Sequence, residues 1–166
     1  MDDVGARSEA VVRRFVSAMG QDLGTMFDCL SDDFVRYGSE TGWAPMAKAT
    51  YRRMADNFRS PFPDCHWEAT LVIASGRRVA VELVESGTFL QPWTIGGVTV
   101  EASGVRYEMH GACFFEIDDE GLISSYRYVH TGSFTEVYAP VMTDEFYVAY
   151  ANEFFGTDES HSTSAP

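Results

Sequence analysis

Residues 121–134, GLISSYRYVHTGSF, carry three side chains that can donate, accept or transfer protons. In a β-strand, side chains alternate between the two faces, so a strand here places Tyr126, Tyr128 and His130 on one face. An ordinary core-facing strand surface consists of Val, Ile and Leu, whereas this one offers two phenols and an imidazole. Because an imidazole titrates near neutral pH, the pattern indicates acid–base chemistry.

Glu85 is a second candidate for proton transfer. It follows Val81 and Leu83 at alternate positions of VAVELVES, so a strand there places its carboxyl on an apolar face. Poor solvation disfavours the charged form and raises the pKa of a carboxyl toward the range useful for general acid or base catalysis. The alternative is a register that differs by one residue, with Glu85 facing solvent or pairing with an arginine such as Arg106.

Each of the other candidates also has a purely structural interpretation. His130, at a strand end, could bond a backbone carbonyl. Tyr126 and Tyr128 could donate to an enolate or alkoxide oxygen, or form apolar wall with their hydroxyls bonded elsewhere. We expect His110 on the opposite, outer face of its strand, and Cys113 as a small packed residue rather than a nucleophile.

The composition limits the classes of function. The chain has 166 residues, enough for one domain with its own core, and a formal net charge of -13. Nucleic acids and acidic membrane surfaces are therefore poor partners. The three cysteines form no C-x-x-C pair, and the N-terminus MDDVGARSEA lacks an apolar stretch. We expect a reduced protein in the cytoplasm.

No cofactor motif is visible in the sequence. His66, His110, His130 and His161 show no metal-ligand spacing, and there is no H-E-x-x-H. A phosphate-binding G-x-x-x-x-G-K, a dinucleotide fingerprint and a G-x-S-x-G elbow are also missing. The sequence therefore predicts chemistry without a cofactor and without a bound metal.

The elements that must position these side chains follow from periodicity. Apolar residues at helical spacing predict one helix that ends at Gly20, a second through LGTMFDCL and a third whose first turn holds Pro45. In the third, Met46, Thr50, Met54 and Phe58 recur at intervals of four. A short strand, SDDFVRYGSE, separates the second helix from the third.

From His66 onward the period changes to two and predicts four long antiparallel strands joined as a meander, with QPWTIGGVTVEASG as a glycine-rich loop. FTEVYAP and TDEFYVAYANEFF look helical and could form a lid or a partner contact. Helices followed by a meander predict an α+β domain whose curved sheet wraps around the helices and leaves a pocket. We expect one domain over residues 1–155 and a disordered tail over 156–166.

Three segments in this order, DDFVRYGS, RRVAVELVESGTF and FFEIDDEGLISSYRYV, resemble the SnoaL-like polyketide cyclases. These belong to the NTF2-like superfamily, with ketosteroid isomerase, scytalone dehydratase and limonene epoxide hydrolase. The resemblance implies a cone in which three N-terminal helices pack in a strongly curved antiparallel sheet that encloses a pocket. It also implies a homodimer formed through the outer sheet face.

The resemblance further implies which side chains see the pocket. Besides Glu85, Tyr128 and His130, the expected lining residues are Tyr126, Phe15, Phe34, Phe58, Trp67, Leu83, Phe89, Met109, Cys113 and Phe115, with Trp93 as a further candidate from the loop. Such an aromatic lining suits an apolar, ring-containing substrate.

The chain departs from its relatives at their catalytic positions. Gly38, Phe15 and Cys113 stand where ketosteroid isomerase has its proton-shuttling aspartate, its helix-one tyrosine and its protonated aspartate, so that mechanism does not transfer. Limonene epoxide hydrolases need an arginine and two aspartates. At the corresponding positions this chain has only one carboxylate, Glu85. Tyr128 lies closest to the catalytic aspartate of the SnoaL-like cyclases.

The sequence thus predicts a cofactor-independent acid–base enzyme that cyclises, isomerises or dehydrates a carbonyl-bearing, polyketide-like or terpenoid-like small molecule. Glu85 or His130 would move the proton, and Tyr128, with Tyr126, would hold the developing oxyanion. Two alternatives stay open: a non-catalytic binding or dimerisation module of the same fold, and opening of an epoxide.

Overall fold

The computed structural model describes residues 3–39, 42–131 and 142–156. Its elements, in chain order, are α1 (Asp3–Ala18), α2 (Leu23–Asp28), β1 (Leu30–Gly38), β2 (Met46–Ala47), α3 (Lys48–Arg59), β3 (His66–Ser75), β4 (Arg78–Thr88), β5 (Trp93–Ile95), β6 (Val98–Val100), β7 (Arg106–Ile117), β8 (Ile123–His130) and α4 (Asp144–Phe155). The predicted helix FTEVYAP, and the predicted tail from residue 157 onward, lie outside the described residues.

Six strands form one sheet in the order β2-β1-β8-β7-β4-β3. The antiparallel pairs β3–β4, β4–β7 and β7–β8 confirm the predicted meander of four long strands. β1 has nine residues, close to the ten of the predicted strand SDDFVRYGSE, and pairs in parallel with β8, the last of the described strands. This long-range pairing brings β1 beside the segment that carries Tyr126 and Tyr128.

Two local predictions need correction. The glycine-rich loop contains a small hairpin, β5–β6, because Gly96 and Gly97 take φ values of 56° and 82°, the backbone conformation that a tight hairpin turn needs. Pro45 does not lie in the first turn of a helix, because Met46 and Ala47 form β2 against β1 and α3 begins only at Lys48.

α1 fills one end of the concave face of the sheet. Its Phe15 ring lies 5.7 Å, centroid to centroid, from the rings of Phe115 and Tyr126, and 6.5 Å from Trp67. Because Phe15 is fully buried among these rings, this end of the cone is solid core. The space left inside the cone therefore lies beyond Trp67, toward α3.

α4 packs against α3 and the β5–β6 hairpin through its buried aromatic side chains. Trp93 lies 4.8 Å from Phe146 and 5.6 Å from Tyr150, between ring centroids, and its Nε1 donates to Asn57 Oδ1 at 2.7 Å. Part of the aromatic C-terminal segment thus covers the core beside α3. None of the described helices is long and apolar enough to cross a membrane.

Candidate active site

A cavity of about 90 Å³ lies between the end of α1, one face of α3 and the concave face of the sheet. Seven of the predicted residues line it: Glu85, Tyr128, His130, Tyr126, Phe58, Trp67 and Met109. The strand alternation therefore brings the three proposed catalytic side chains to one space, as the shared-face argument requires.

The structure places the remaining predicted lining residues in the core instead. They are Phe15, Phe34, Leu83, Phe89, Cys113 and Phe115, each 0% or 1% exposed. Although their strand or helix face is the predicted one, rings from neighbouring elements cover them. Trp93 likewise packs into the core below α4. The sequence predicts that these side chains point to the inside of the sheet, as they do. It does not predict which part of the interior is filled by close packing and which part stays open as a cavity.

Three donors converge on the buried carboxylate of Glu85, which is 6% exposed. Trp67 Nε1 donates to Oε2 at 2.7 Å, Tyr107 Oη donates to Oε1 at 2.9 Å, and Tyr128 Oη donates to Oε2 at 3.3 Å. Hydrogen bonds of this kind stabilise a carboxylate that burial would otherwise disfavour. Arg106, the alternative partner considered above, donates to Ser86 Oγ at 3.0 Å.

Two glycines make room for the tyrosines of this cluster. A Cβ atom at Gly111 would lie 2.7 Å from Tyr128 Cε2 and 2.8 Å from the carbonyl oxygen of Val129. At Gly87 it would lie 2.9 Å from Tyr107 Cε1. All three distances are shorter than a Cβ atom tolerates, so the rings reach Glu85 because these strand positions carry no side chain.

A second polar cluster lies in the same cavity wall. Arg36, 4% exposed, donates from Nε to Tyr126 Oη at 2.8 Å, and Tyr126 donates to Tyr51 Oη, also at 2.8 Å. Tyr51 in turn donates to Met19 Sδ at 3.8 Å. The guanidinium carbon also lies 5.6 Å above the ring centres of both tyrosines. Burial raises the pKa of both hydroxyls, so both keep their protons.

The sequence interpretation missed Arg36 and Tyr51. Arg36 shares a strand face with the buried Phe34, and a charged residue at such a position is a signal that sequence alone offers. Tyr51 lies on the face of α3 that includes Met54 and Phe58, which are three and seven residues further along. The predicted four-residue interval includes Met54 and Phe58 but passes through Thr50, and therefore misses Tyr51, which is the buried residue of that turn.

The remaining titratable groups have defined positions. His130 lines the cavity with its ring 5.6 Å from that of Tyr128. Cys65 also lines it, 3.4 Å from Tyr107 Oη, and burial raises the pKa of its thiol, which argues against a nucleophilic thiolate. His110 lies on the outer face, near Glu108, as predicted. No metal-binding group of three or more His, Cys, Asp or Glu side chains occurs among the described residues.

Comparisons with known proteins agree with this architecture. A family model for the SnoaL-like domain matches residues 12–126. Among solved structures, AclR from Streptomyces galilaeus, a proposed hydroxylase, has a TM-score of 0.64 at 22% identity, over 76% of this chain and 79% of its own. IdmH from Streptomyces antibioticus, a proposed polyketide cyclase, has a TM-score of 0.62 at 19% identity, over 75% of this chain and 91% of its own.

A third structure, from Catenulispora acidiphila, is described as having a ketosteroid isomerase-like fold. Its TM-score is 0.59 at 15% identity, over 78% of this chain and 89% of its own. A comparison with curated proteins gives no significant match. At these identities the solved structures establish a shared fold, and the family model extends over most of the chain. The chain therefore belongs to the SnoaL-like family.

Proposed function

We propose that this protein is a cofactor-independent acid–base enzyme that acts on an apolar, carbonyl-bearing small molecule of the polyketide or terpenoid type. The observation that carries the proposal is the buried carboxylate of Glu85 in the wall of a largely apolar cavity. Such a carboxylate, surrounded by side chains that exclude water, is suited to abstract a proton. Proposed polyketide cyclases among the structures of the same fold support the class of reaction.

The proposed reaction begins when Glu85 removes a proton from the carbon next to the substrate carbonyl. The electron pair of the C–H bond forms an enolate, whose negative charge lies on the carbonyl oxygen. Return of the proton from Glu85 to another carbon gives an isomer. Attack of the enolate carbon on a second carbonyl closes a ring, and the alkoxide that forms takes the proton from Glu85. Loss of a β-hydroxyl, which leaves as water with the proton from Glu85, gives a dehydrated product. Each outcome needs the same first step and no oxidant or reductant.

The surrounding side chains have roles in this scheme. Trp67, Tyr107 and Tyr128 hold the carboxylate of Glu85 in one orientation, which limits the reorganisation that proton transfer requires. Tyr128 therefore supports the base, because its hydroxyl proton points to Glu85. Glu85 carries the proton after the first step and returns it to the product, and His130, beside Tyr128, is the alternative proposed acid–base group.

The size of the cavity limits what it admits. A volume of about 90 Å³ is small beside the roughly 300–1,000 Å³ of pockets for drug-sized ligands. We propose that the reacting ring of the substrate enters and that the rest of a larger molecule stays outside.

Deuterium exchange tests the proposal without knowledge of the natural substrate. 1-Indanone, a compact aromatic ketone, is incubated with the protein in D2O, and the loss of its α-proton signal is followed by NMR. We expect catalysed exchange, slowed about 10²–10⁴-fold in Glu85→Gln. Glu82→Gln is the matched control, because Glu82 lies on the same strand with its side chain on the outer face. Equal exchange in the wild type and Glu85→Gln, with the fold intact, would refute the role of Glu85.

A non-catalytic binding module is the second candidate. The observation that favours it is the set of three donors on Glu85, since a carboxylate held in this way also serves as a structural anchor. A carbonyl ligand that binds tightly and shows no exchange would support this alternative. Epoxide opening has less support, because Glu85 is the sole carboxylate among the described residues that line the cavity.

We also propose a homodimer formed through the outer face of the sheet. Leu71, Ile73, Phe114 and Val129 share that face and are 50%, 57%, 48% and 38% exposed. Such apolar groups side by side are typical of an interface. Sedimentation equilibrium should give twice the chain mass, and Phe114→Glu should give the monomer. A monomeric wild type at micromolar concentration would contradict the proposal.

A further inference from the structure

The cavity has a second polar wall that the proton transfer at Glu85 does not use. It is the cluster of Arg36, Tyr126 and Tyr51, which join β1, β8 and α3. The donors point in one direction, from the guanidinium to Tyr126 and from Tyr126 to Tyr51, with both oxygen contacts near 2.8 Å. The cluster therefore ends at the hydroxyl proton of Tyr51.

The acceptor for that last proton is a weak one. Tyr51 donates to the thioether sulfur of Met19 at 3.8 Å, although its side chain is only 3% exposed. A buried donor with a poor acceptor gains free energy when a carbonyl or enolate oxygen replaces it. Met19 and Tyr51 both line the cavity, and an unbranched methionine side chain can move aside for a ligand.

Charge within the cluster strengthens this donor. The guanidinium of Arg36 is protonated at every accessible pH, and hydrogen bonds in a chain polarise one another in a buried environment. Because burial raises the pKa of Tyr126 and Tyr51, both hydroxyls remain neutral donors at neutral pH. A positive charge at the far end of the chain thus favours a negative oxygen at the near end.

Three other hydroxyls near the cavity are directed elsewhere. The proton of Tyr128 points to Glu85, and that of Tyr126 points to Tyr51. Tyr107 has both Glu85 and Cys65 within reach of its hydroxyl.

We propose that Tyr51 is the residue that holds the carbonyl oxygen of the substrate, with Arg36 acting through Tyr126 as a positioning residue. The inference rests on the proposed function, since it names the oxyanion donor for the proton transfer assigned to Glu85. The substrate then lies between the two clusters, with its C–H bond toward Glu85 and its oxygen toward α3. This assignment replaces the oxyanion role predicted for Tyr126 and Tyr128.

Infrared spectroscopy of a bound ketone tests the assignment directly. The probe is 1-indanone, both unlabelled and labelled with carbon-13 at the carbonyl, because the difference between the two spectra isolates the ketone stretch from the protein bands. We expect the band to lie below its position in hexane when the ketone binds the wild type. Tyr51→Phe should return the band toward the hexane value and weaken binding about tenfold, as the loss of one hydrogen bond predicts. Tyr37→Phe is the matched control, since Tyr37 lies outside the cavity wall.

Two further variants keep the test decisive. Glu85→Gln should keep the shifted band, so a wrong base and a wrong oxyanion donor give different results. Met19→Leu removes the competing acceptor and should strengthen both the shift and the binding, which provides a readout even if Tyr51→Phe fails to fold. An unchanged band in Tyr51→Phe, a weaker shift in Met19→Leu, or no saturable binding of 1-indanone to the wild type would overturn the assignment.

Discussion

The two polar clusters of the cavity are built in opposite ways. At Glu85 three donors converge on one carboxylate, whereas from Arg36 the donors run in series and end on Tyr51. The first arrangement favours the charged form of one carboxyl group. The second presents the positive potential of Arg36 and the weakly bonded hydroxyl of Tyr51 to a ligand in the cavity. The difference indicates a base at one wall and an oxyanion donor at the other.

The two clusters also rest on different scaffolds. The donors to Glu85 come from β3, β7 and β8, all members of one sheet, whereas Tyr51 comes from a helix. Strand pairing fixes the distance between neighbouring side chains, while a helix is held only by packing. We infer that the carboxylate cluster contributes more to stability and that the arginine cluster adapts more readily to ligand. The predictions below test this contrast.

The largest expected effect comes from removing the carboxylate. Glu85→Ala removes the shared acceptor of three buried donors, so the free energy of unfolding should fall by about 3 kcal/mol or more. Urea unfolding measures the loss. Glu82→Ala, on the outer face of the same strand, should be nearly neutral. A loss below about 1 kcal/mol for Glu85→Ala would show that the cluster is not a stabilising unit.

The glycines beside the tyrosines should differ from each other. Gly111→Ala brings a methyl group against the backbone of Val129 and the ring of Tyr128, so we expect a loss of about 1–3 kcal/mol in urea unfolding. Gly87→Ala meets only the ring of Tyr107, which can move, and should cost less. The reverse order would contradict the assigned positions of the two rings.

The arginine cluster should respond more weakly than the carboxylate cluster. Tyr126→Phe removes the acceptor of a buried guanidinium and a donor to Tyr51, at an expected cost of about 1–2 kcal/mol. Tyr51→Phe loses only the acceptor of Tyr126 and a weak bond to Met19, so it should cost less. Chemical denaturation of both variants checks the order. Equal or inverted costs would show that the donors do not run in series.

The smallest expected effect is a change in the free energy of unfolding at alkaline pH. Burial raises the folded-state pKa of Tyr126 above the usual value near 10, so its stabilising contribution is complete below pH 10 and is lost as pH rises further. At pH 10 about half of the Tyr126 side chains in the unfolded state are ionised. This ionisation lowers the free energy of unfolding of the wild type by about 0.4 kcal/mol relative to pH 8. Between pH 8 and pH 10 the free energy of unfolding of Tyr126→Phe should fall by about 0.4 kcal/mol less than that of the wild type. An identical loss in both proteins would mean that Tyr126 is not shielded.

Period-two alternation predicts much of the site. It places Glu85, Tyr128 and His130 on the inner face because a strand offers only two faces, and one buried face selects the register. The fold class follows in the same way, from helices first and a meander afterwards. The SnoaL-like match over residues 12–126 confirms the resemblance.

The arginine cluster could not be predicted from local patterns. Its members lie on β1, α3 and β8, and the parallel pairing of β1 with β8 joins the two ends of the domain. Sequence periodicity carries no information about which distant elements pair. The division between core and cavity has the same origin, since Phe15 and Phe115 fill one end of the cone only because α1 packs there.

A crystal structure of the protein with bound 1-indanone would show whether Glu85 and Tyr51 hold the two ends of the reacting group. We expect the ketone between the two clusters, with its oxygen about 2.6–3.2 Å from Tyr51 Oη and its α-carbon facing the carboxylate of Glu85. We also expect Met19 to move away from Tyr51. A ketone bound with its oxygen toward Trp67 or Tyr128, and with Tyr51 still on Met19, would exclude both assignments.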